Sequence, residues 1–256
     1  SEKYTIITAP ETKLGSKNIL IFPQERAFGY LAALTTIDLL VVDEFYKASR
    51  THDRDRSPSL IKAILKLSSK AKQRYYLAPN IKSLSDNAFT RDMEFLELLD
   101  FNTVYLKIDE PYKEFAGDAG RKGDKLIEII STGAQKSLIY AGTYSEIEKV
   151  SDLVIESLPI VDRIYTTPFA KWLRENYQSD WALADLVDRG IGVHNGSMHR
   201  CLSQLQVKLF EYRDGFDSIV STSSIIEGVN TSAQNVIIWR SKLGGSNLKD
   251  FSYKNI

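Results

Sequence analysis

One cysteine, Cys201, stands among 256 residues, and a lone thiol excludes an internal disulfide framework. No apolar run approaches the roughly 20 residues that a membrane-spanning helix needs, so no membrane partner is expected. Net charge is lacking too: 33 basic residues balance 33 acidic ones. No global field therefore draws the chain to nucleic acid or anionic lipid, and any nucleic-acid site must be local. Residues 1–8 show neither a basic start nor a long apolar stretch, which argues against a secretory signal. These absences predict a reduced, cytoplasmic protein. Histidine is scarce, at three residues; with one cysteine they do not assemble into a nucleophile, base and orienter, so hydrolase triads are set aside. His194, His199 and Cys201 lie close in sequence, yet no fourth ligand stands at a matching spacing, and a zinc site is not predicted.

What is present is material for a core. Hydrophobic residues make up 43% of the chain, enough for one large or two modest domains. Short apolar runs at 18–22, 39–42, 75–77, 138–140, 191–193, 218–220 and 236–239 alternate with amphipathic helical stretches, a rhythm that predicts an α/β fold. Leu39-Leu40-Val41-Val42 and Val236-Ile237-Ile238-Trp239 lack polar alternation, as strands covered by helices on both faces require, so the sheets are expected to be mainly parallel. Between 101 and 136 the pattern fades, and Gly117, Asp118, Gly120, Arg121, Lys122, Gly123 and Asp124 crowd together, the composition of an exposed connection. The predicted organisation is an N-terminal domain over 1–110, a linker over 111–136 and a C-terminal domain over 137–256.

Asp43 and Glu44 follow four apolar residues and should emerge at the carboxyl end of a parallel strand, where α/β sheets hold their ligands. In nucleoside triphosphatases an Asp so placed holds Mg²⁺ beside the β and γ phosphates, and an adjoining Glu polarises the attacking water. The plainer reading has Asp43 ending the strand and Glu44 capping the next element. The tetrapeptide alone divides evenly between the two.

Neighbouring blocks favour the first. Asp43-Glu44-Phe45-Tyr46 resembles the DExH/DExD box of superfamily 2 helicases. Upstream, Phe22-Pro23-Gln24-Glu25-Arg26 is similar to the block with which those enzymes touch the nucleic-acid backbone. Leu77-Ala78-Pro79-Asn80 sits where the family carries a Ser-Ala-Thr motif that links hydrolysis to strand movement, but it lacks the hydroxyls. In the second half, Ser137-Leu138-Ile139-Tyr140-Ala141-Gly142-Thr143 resembles the block that opens the second motor domain, a strand followed by a turn whose N–H groups suit a phosphate. The stretch from Gly190 to Arg200, GIGVHNGSMHR, is similar to a segment of the Ski-like branch. Val220 to Asn230, VSTSSIIEGVN, resembles the motif whose hydroxyls contact a backbone phosphate.

This resemblance implies two RecA-like domains with ATP and Mg²⁺ between them and single-stranded DNA or RNA across their tops. It assigns Asp43 to the metal and Glu44 to the attacking water, both catalytic. Gly228 and Asn230 would face the nucleotide, while Arg26, Thr143, His194, Thr222 and Ser223 would line the nucleic acid. Ala78 and Asn80 would couple the two events. No Gly-rich loop ending in Gly-Lys-Ser/Thr precedes Asp43, although such a loop cradles the phosphates, and no Arg-rich block follows residue 251. The expectation is a fragment with an incomplete first domain, inactive in hydrolysis alone, to which a protein partner or the missing segments would add. Two readings stay open: a piece of an ATP-dependent nucleic-acid motor, and a non-catalytic module of the same kind that binds a strand or a protein.

Several groups are assigned to packing or solvent instead. Lys47, Arg50, Arg54 and Arg56 are interleaved with Asp53 and Asp55 and read as a solvated loop. Trp239 ends an apolar run and is expected in the core, as are Phe169, Trp172 and Leu173 at helical spacing, and Cys201 as a small apolar residue.

Overall fold

A computed structural model describes residues 3–79, 81–84, 86–98, 105, 107–115, 117–133, 135–222, 231–243 and 246–247. The chain is mixed α/β with mainly parallel sheets, and it divides into two units, 1–105 and 106–256.

In the first unit, β1 (Thr5–Ile7) pairs in parallel with β2 (Asn18–Leu20), and α1 (Gln24–Tyr30) follows. Pro23 stands at the N-cap of α1, where its fixed φ starts a helix without sacrificing an intrahelical N–H. The helix is anchored to the β1 side: the Tyr30 hydroxyl donates to the Ala9 and Thr12 carbonyls, at 3.2 and 3.1 Å. Then β3 (Ile37–Val42), a 3₁₀ turn (Phe45–Ala48), α2 (Ser57–Ser68) and β4 (Ala71–Tyr76) form a strand–helix–strand unit in which β3 and β4 run parallel, with Val41 opposite Tyr75 and Val42 opposite Tyr76. A parallel pair needs such a crossover, because a tight hairpin cannot return the chain to the starting end of the sheet. Ala63 and Ile64 of α2 are buried, and Val42 is buried with them.

Among the described residues, nothing covers the opposite face of β3 and β4. Leu39 and Val41 are 50% and 51% exposed, and Tyr75 and Leu77 are 55% and 48% exposed. The unbroken apolar run in β3 predicts cover on both faces; among the described residues it is covered on one. The same holds for β1 and β2, where Ile6 and Ile19, which share a face, are exposed beside Ile21.

The second unit opens with α3 (Tyr112–Phe115) and α4 (Ala119–Ser131), followed by β5 (Ser137–Tyr140), α5 (Tyr144–Ser157), α6 (Thr166–Asn176), α7 (Ala182–Val187), β6 (Ile191–His194), α8 (Arg200–Glu211), β7 (Ser218–Ser221) and β8 (Asn235–Ile238). A short antiparallel pair, β9 (Lys242–Leu243) and β10 (Ser246–Asn247), ends the described chain. The four-stranded sheet is all parallel, in the order β6-β7-β5-β8. Every residue of β5 and β7 is buried, as central strands covered by helices on both faces must be. Their core takes in Ile139, Val150, Leu173, Leu186, Phe210 and Ile219.

The stretch read as a linker is corrected here, because α4 occupies most of it. Asp118 accepts hydrogen bonds from the Gly120 and Arg121 amides as an N-cap, and Leu126 and Ile130 bury one face. Its glycines sit on helix: Gly123 is buried, and a Cβ there would stand 3.3 Å from Leu153. The small residue permits close helix packing, and the sequence pattern that suggests a loop is in fact a packing surface.

Two internal clamps hold this unit. Lys136 donates from Nζ to the carbonyls of Phe210, Tyr212 and Phe216, closing the C-terminal end of α8 against β5. Arg163 forks onto Asp217 and the Gly215 carbonyl. Its guanidinium also packs over Gly190, where a Cβ would stand 3.1 Å away and where a φ of +73° suits glycine.

Candidate functional site

In the first unit the Asp-Glu pair stands where the sequence places it, directly after β3. Val42 is the last strand residue; Asp43 is exposed and Glu44 half-buried. Glu44 adopts a left-handed backbone, φ 51° and ψ 41°, a sharp reversal at the sheet edge for which a non-glycine residue bears a steric cost. Three bonds stabilise it. The Glu44 amide donates to Asp43 Oδ1 at 2.9 Å, the Leu77 amide to the Val42 carbonyl, and the Phe45 amide to the Leu77 carbonyl, each at 2.8 Å. Leu77 and the adjoining Ala78 are thereby tied to the Asp43 turn. Asn80, the other residue expected to couple, lies outside the described residues.

Around this turn Pro23, Gln24, Asp43, Glu44, Lys47, Asp53, Arg56 and Leu60 line an open recess of about 230 Å³. Lys47 Nζ stands 2.7 Å from Glu44 Oε2. Arg56 pairs with Glu25 at 3.0 Å through both Nε and Nη2, which raises the Arg56 pKa and lowers that of Glu25. Two members of the basic cluster that reads as a solvated loop are thus engaged at the recess, while Arg50 and Arg54 are exposed. Arg26 is exposed and donates to the Thr8 carbonyl at 2.9 Å, so one of its donors serves its own unit. The carboxylates of Asp43, Glu44 and Asp53 line the recess, and Mg²⁺ binds in general through one or two carboxylates together with waters and substrate phosphates. Among the described residues no group of three or more His, Cys, Asp and Glu could hold a metal ion.

In the second unit the parallel sheet brings three predicted residues to one edge. Thr143 follows the end of β5, His194 ends β6 and Thr222 follows β7, and these strands adjoin in the order β6-β7-β5. The Thr222 amide donates to the His194 carbonyl at 3.2 Å, and the Ala141 amide to the Ser221 carbonyl at 2.8 Å, extending the ladder past the strand ends. Thr143 is the N-cap of α5, its hydroxyl accepting from the Glu146 amide at 3.3 Å, after a turn at Gly142 with φ +81°. His194 is half-buried, and burial lowers its pKa below the ordinary 6.5, because the charged imidazolium is the form that loses hydration. Beyond β6, Asn195 Oδ1 accepts from the amides of Ser197 and Met198, which fixes the turn into α8. Ser221, on the same edge, buries a hydroxyl with no hydrogen-bond partner among the described residues. Ser223, Gly228 and Asn230 lie outside the described residues.

Sequence reasoning missed a cluster on the other side of this edge. The Glu146 carboxylate, 12% exposed, accepts from Trp239 Nε1 at 2.9 Å, Lys149 Nζ at 2.8 Å and Arg240 Nη1 at 3.3 Å. Lys122 Nζ lies 3.7 Å from the Trp239 ring centroid. Lys122 falls in the stretch misread as a linker, so no local pattern could place it beside Trp239. Trp239 packs against the core from its margin. Of the three residues at helical spacing on α6, Phe169 and Leu173 are buried but Trp172 is 43% exposed, because it lies at the edge of the apolar stripe. Cys201 is exposed at an apolar groove beside Phe169, Trp172 and Leu205, contrary to its expected core position; the buried stripe of α8 runs through Leu202 and Leu209 instead.

No family model matches the chain. The chain is 30% identical over 233 residues to Anti-bacteriophage protein B of Escherichia coli (strain K12), an alignment covering 87% of this chain and 31% of the relative. It therefore spans about a third of the length of the curated relative it matches. These findings overturn the resemblance to Ski-like DExD/H helicases, since no family model supports it and the relative's name does not indicate such an enzyme. The physical reason lies in the strings that carried it. Several of them, such as Ser137 to Thr143 and Gly190 to Arg200, cover a strand and the turn after it, and many α/β proteins place Gly, Ser, Thr, Asp and Asn there because the turn chemistry demands them. Among the described residues no helix is long and apolar enough to cross a membrane.

Proposed function

We propose that this chain engages single-stranded DNA or RNA across the carboxyl edge of its four-stranded sheet, as part of an ATP-driven nucleic-acid translocase acting in defence against bacteriophage. The observation that carries the reading is the convergence of Thr143, His194 and Thr222 on three adjoining parallel strands, the place where open α/β sheets bind ligands. Hydroxyls, an imidazole and extended backbone amides suit phosphate and sugar oxygens, which position a strand without reading its sequence. The defence role is suggested by the name of the relative. On this reading each unit is RecA-like, with nucleotide taken at the recess beside Asp43.

There, Asp43 would hold Mg²⁺ and Glu44 would orient the attacking water and accept its proton. Bound with ATP, the metal would neutralise charge developing on the phosphates. Lys47 and Arg56 supply positive charge at the same recess. Arg26 would meet the strand backbone from α1, and Ala78, tied to the Asp43 turn through Leu77, would transmit the nucleotide state. A second reading is a binding module without hydrolysis. It is favoured by the pairing of Lys47 with Glu44 and Arg56 with Glu25, which leaves these cations committed to carboxylates.

ATP hydrolysis with and without single-stranded DNA or RNA, measured beside oligonucleotide binding in the longest natural polypeptide carrying this chain, separates the two. The translocase reading expects strand-stimulated turnover that Asp43→Asn abolishes while binding persists. It also expects His194→Ala to weaken binding about tenfold, the loss of one charge-assisted hydrogen bond. Binding with no turnover supports the module, and absence of both refutes the proposal.

A further inference from the structure

The edge strand β8 leads into Trp239 and Arg240, which face the first turn of α5 and the N-terminal half of α4. Three cations meet there around one carboxylate. Lys149 and Arg240 both bond Glu146, while Lys122 makes no ion pair among the described residues and rests on the Trp239 ring. The charges that act on Lys122 are Glu146, Lys149 and Arg240, so the cluster carries a local excess of two positive charges: Lys122, Lys149 and Arg240 against Glu146. Such an excess is costly in a chain with no net charge, because like charges this close repel and Lys122 is also partly desolvated. Burial, together with its two cationic neighbours, lowers the Lys122 pKa. A structural ion-pair network has no need of the third cation. An anion site does.

We propose that Lys122, Lys149 and Arg240 form a binding site for a backbone phosphate of single-stranded nucleic acid, with Trp239 holding Lys122 in place and Glu146 holding Lys149 and Arg240 beside it. The inference rests on the strand-binding reading and deepens it. The row of Thr143, His194 and Thr222 lies along β5, β6 and β7, and this cluster continues the same carboxyl edge to β8 through the α5 turn that Thr143 caps. The phosphate adds its single charge to that of Glu146 and lowers the local excess from two positive charges to one.

The test is fluorescence anisotropy of labelled single-stranded DNA and RNA oligonucleotides with the chain across a series of salt concentrations. Lys122→Gln and Arg240→Gln each weaken affinity several-fold and reduce the salt slope by about 0.7 for each phosphate that is no longer neutralised, and Lys122→Arg restores both. Glu146→Gln tightens binding, an outcome that removal of a merely structural carboxylate would not produce. Circular dichroism confirms that each variant is folded. Unchanged affinity and slope in Lys122→Gln and Arg240→Gln, with binding still weakened about tenfold in His194→Ala, overturn this site and leave the strand-binding reading standing. No oligonucleotide binding by the wild-type chain overturns both. Displacement of the oligonucleotide by ATP from the wild type but not from Lys122→Gln would assign the cluster to nucleotide phosphates and overturn its role toward the strand.

Discussion

His194 shows how one residue's surroundings set a measurable property. Burial at the end of β6 lowers its pKa below the ordinary 6.5. As pH falls through that value the unfolded chain takes up the proton while folded His194 stays neutral, so the unfolded state binds more protons and stability declines with falling pH. His194→Gln should remove this contribution and flatten the loss of stability below pH 6.5, leaving stability above that pH nearly unchanged; urea midpoints from neutrality downward measure it. An undiminished acid slope in the variant would assign the slope to carboxylates, such as Glu146, whose pKa is lowered chiefly by its bond to Lys149. The position of His194 at a strand end is legible in its own string, Ile191-Gly192-Val193-His194. Its burial is not, because that depends on the elements packed around the end of β6.

At the scale of elements, strand positions are easy to read and helix starts harder. Every apolar run picked out in the sequence falls on a strand, but β4 begins at Ala71, ahead of the run at Tyr75. Lys72, Gln73 and Arg74 hide its start, and polar residues are tolerated there since Lys72 pairs with Asp38 and Arg74 with Asp92. The α4 helix escapes because its N-cap, Asp118, stands among glycines. Both α4 and α5 begin on side-chain caps, Asp118 and Thr143. Asp118→Ala and Thr143→Ala should each cost about 1 kcal/mol in urea denaturation, and their effects should add, as the caps serve different helices. A combined loss well under that of a single cap would mean that packing through Leu126, Ile130 and Val150 starts these helices without help.

For the whole molecule the two units differ in how far their sheets are covered. The second buries β5 and β7 entirely, whereas in the first Leu39, Val41, Tyr75 and Leu77 stand exposed on one face. Apolar patches of more than a few hundred Å² are uncommon on soluble monomers. The native chain should accordingly bind a hydrophobic dye such as ANS, and Val41→Lys combined with Tyr75→Lys should lower the bound-dye signal by roughly half with little change in the denaturation midpoint, because those side chains forfeit little burial. A sharp fall in midpoint would show that the face is covered in solution.

The sequence by itself determined the α/β class, the parallel sense of the sheets and the positions of Asp43, Thr143, His194 and Thr222 at strand ends. These follow from local rules, unbroken apolar runs and the turn residues after them, which act over a few neighbours. Tertiary structure alone decided which strand ends adjoin, that Trp239 from a distant part of the chain meets Lys122 and Glu146, and that β3 is covered on one face among the described residues. Those outcomes depend on strand order and helix packing, which bring together residues whose local sequences carry no mark of one another.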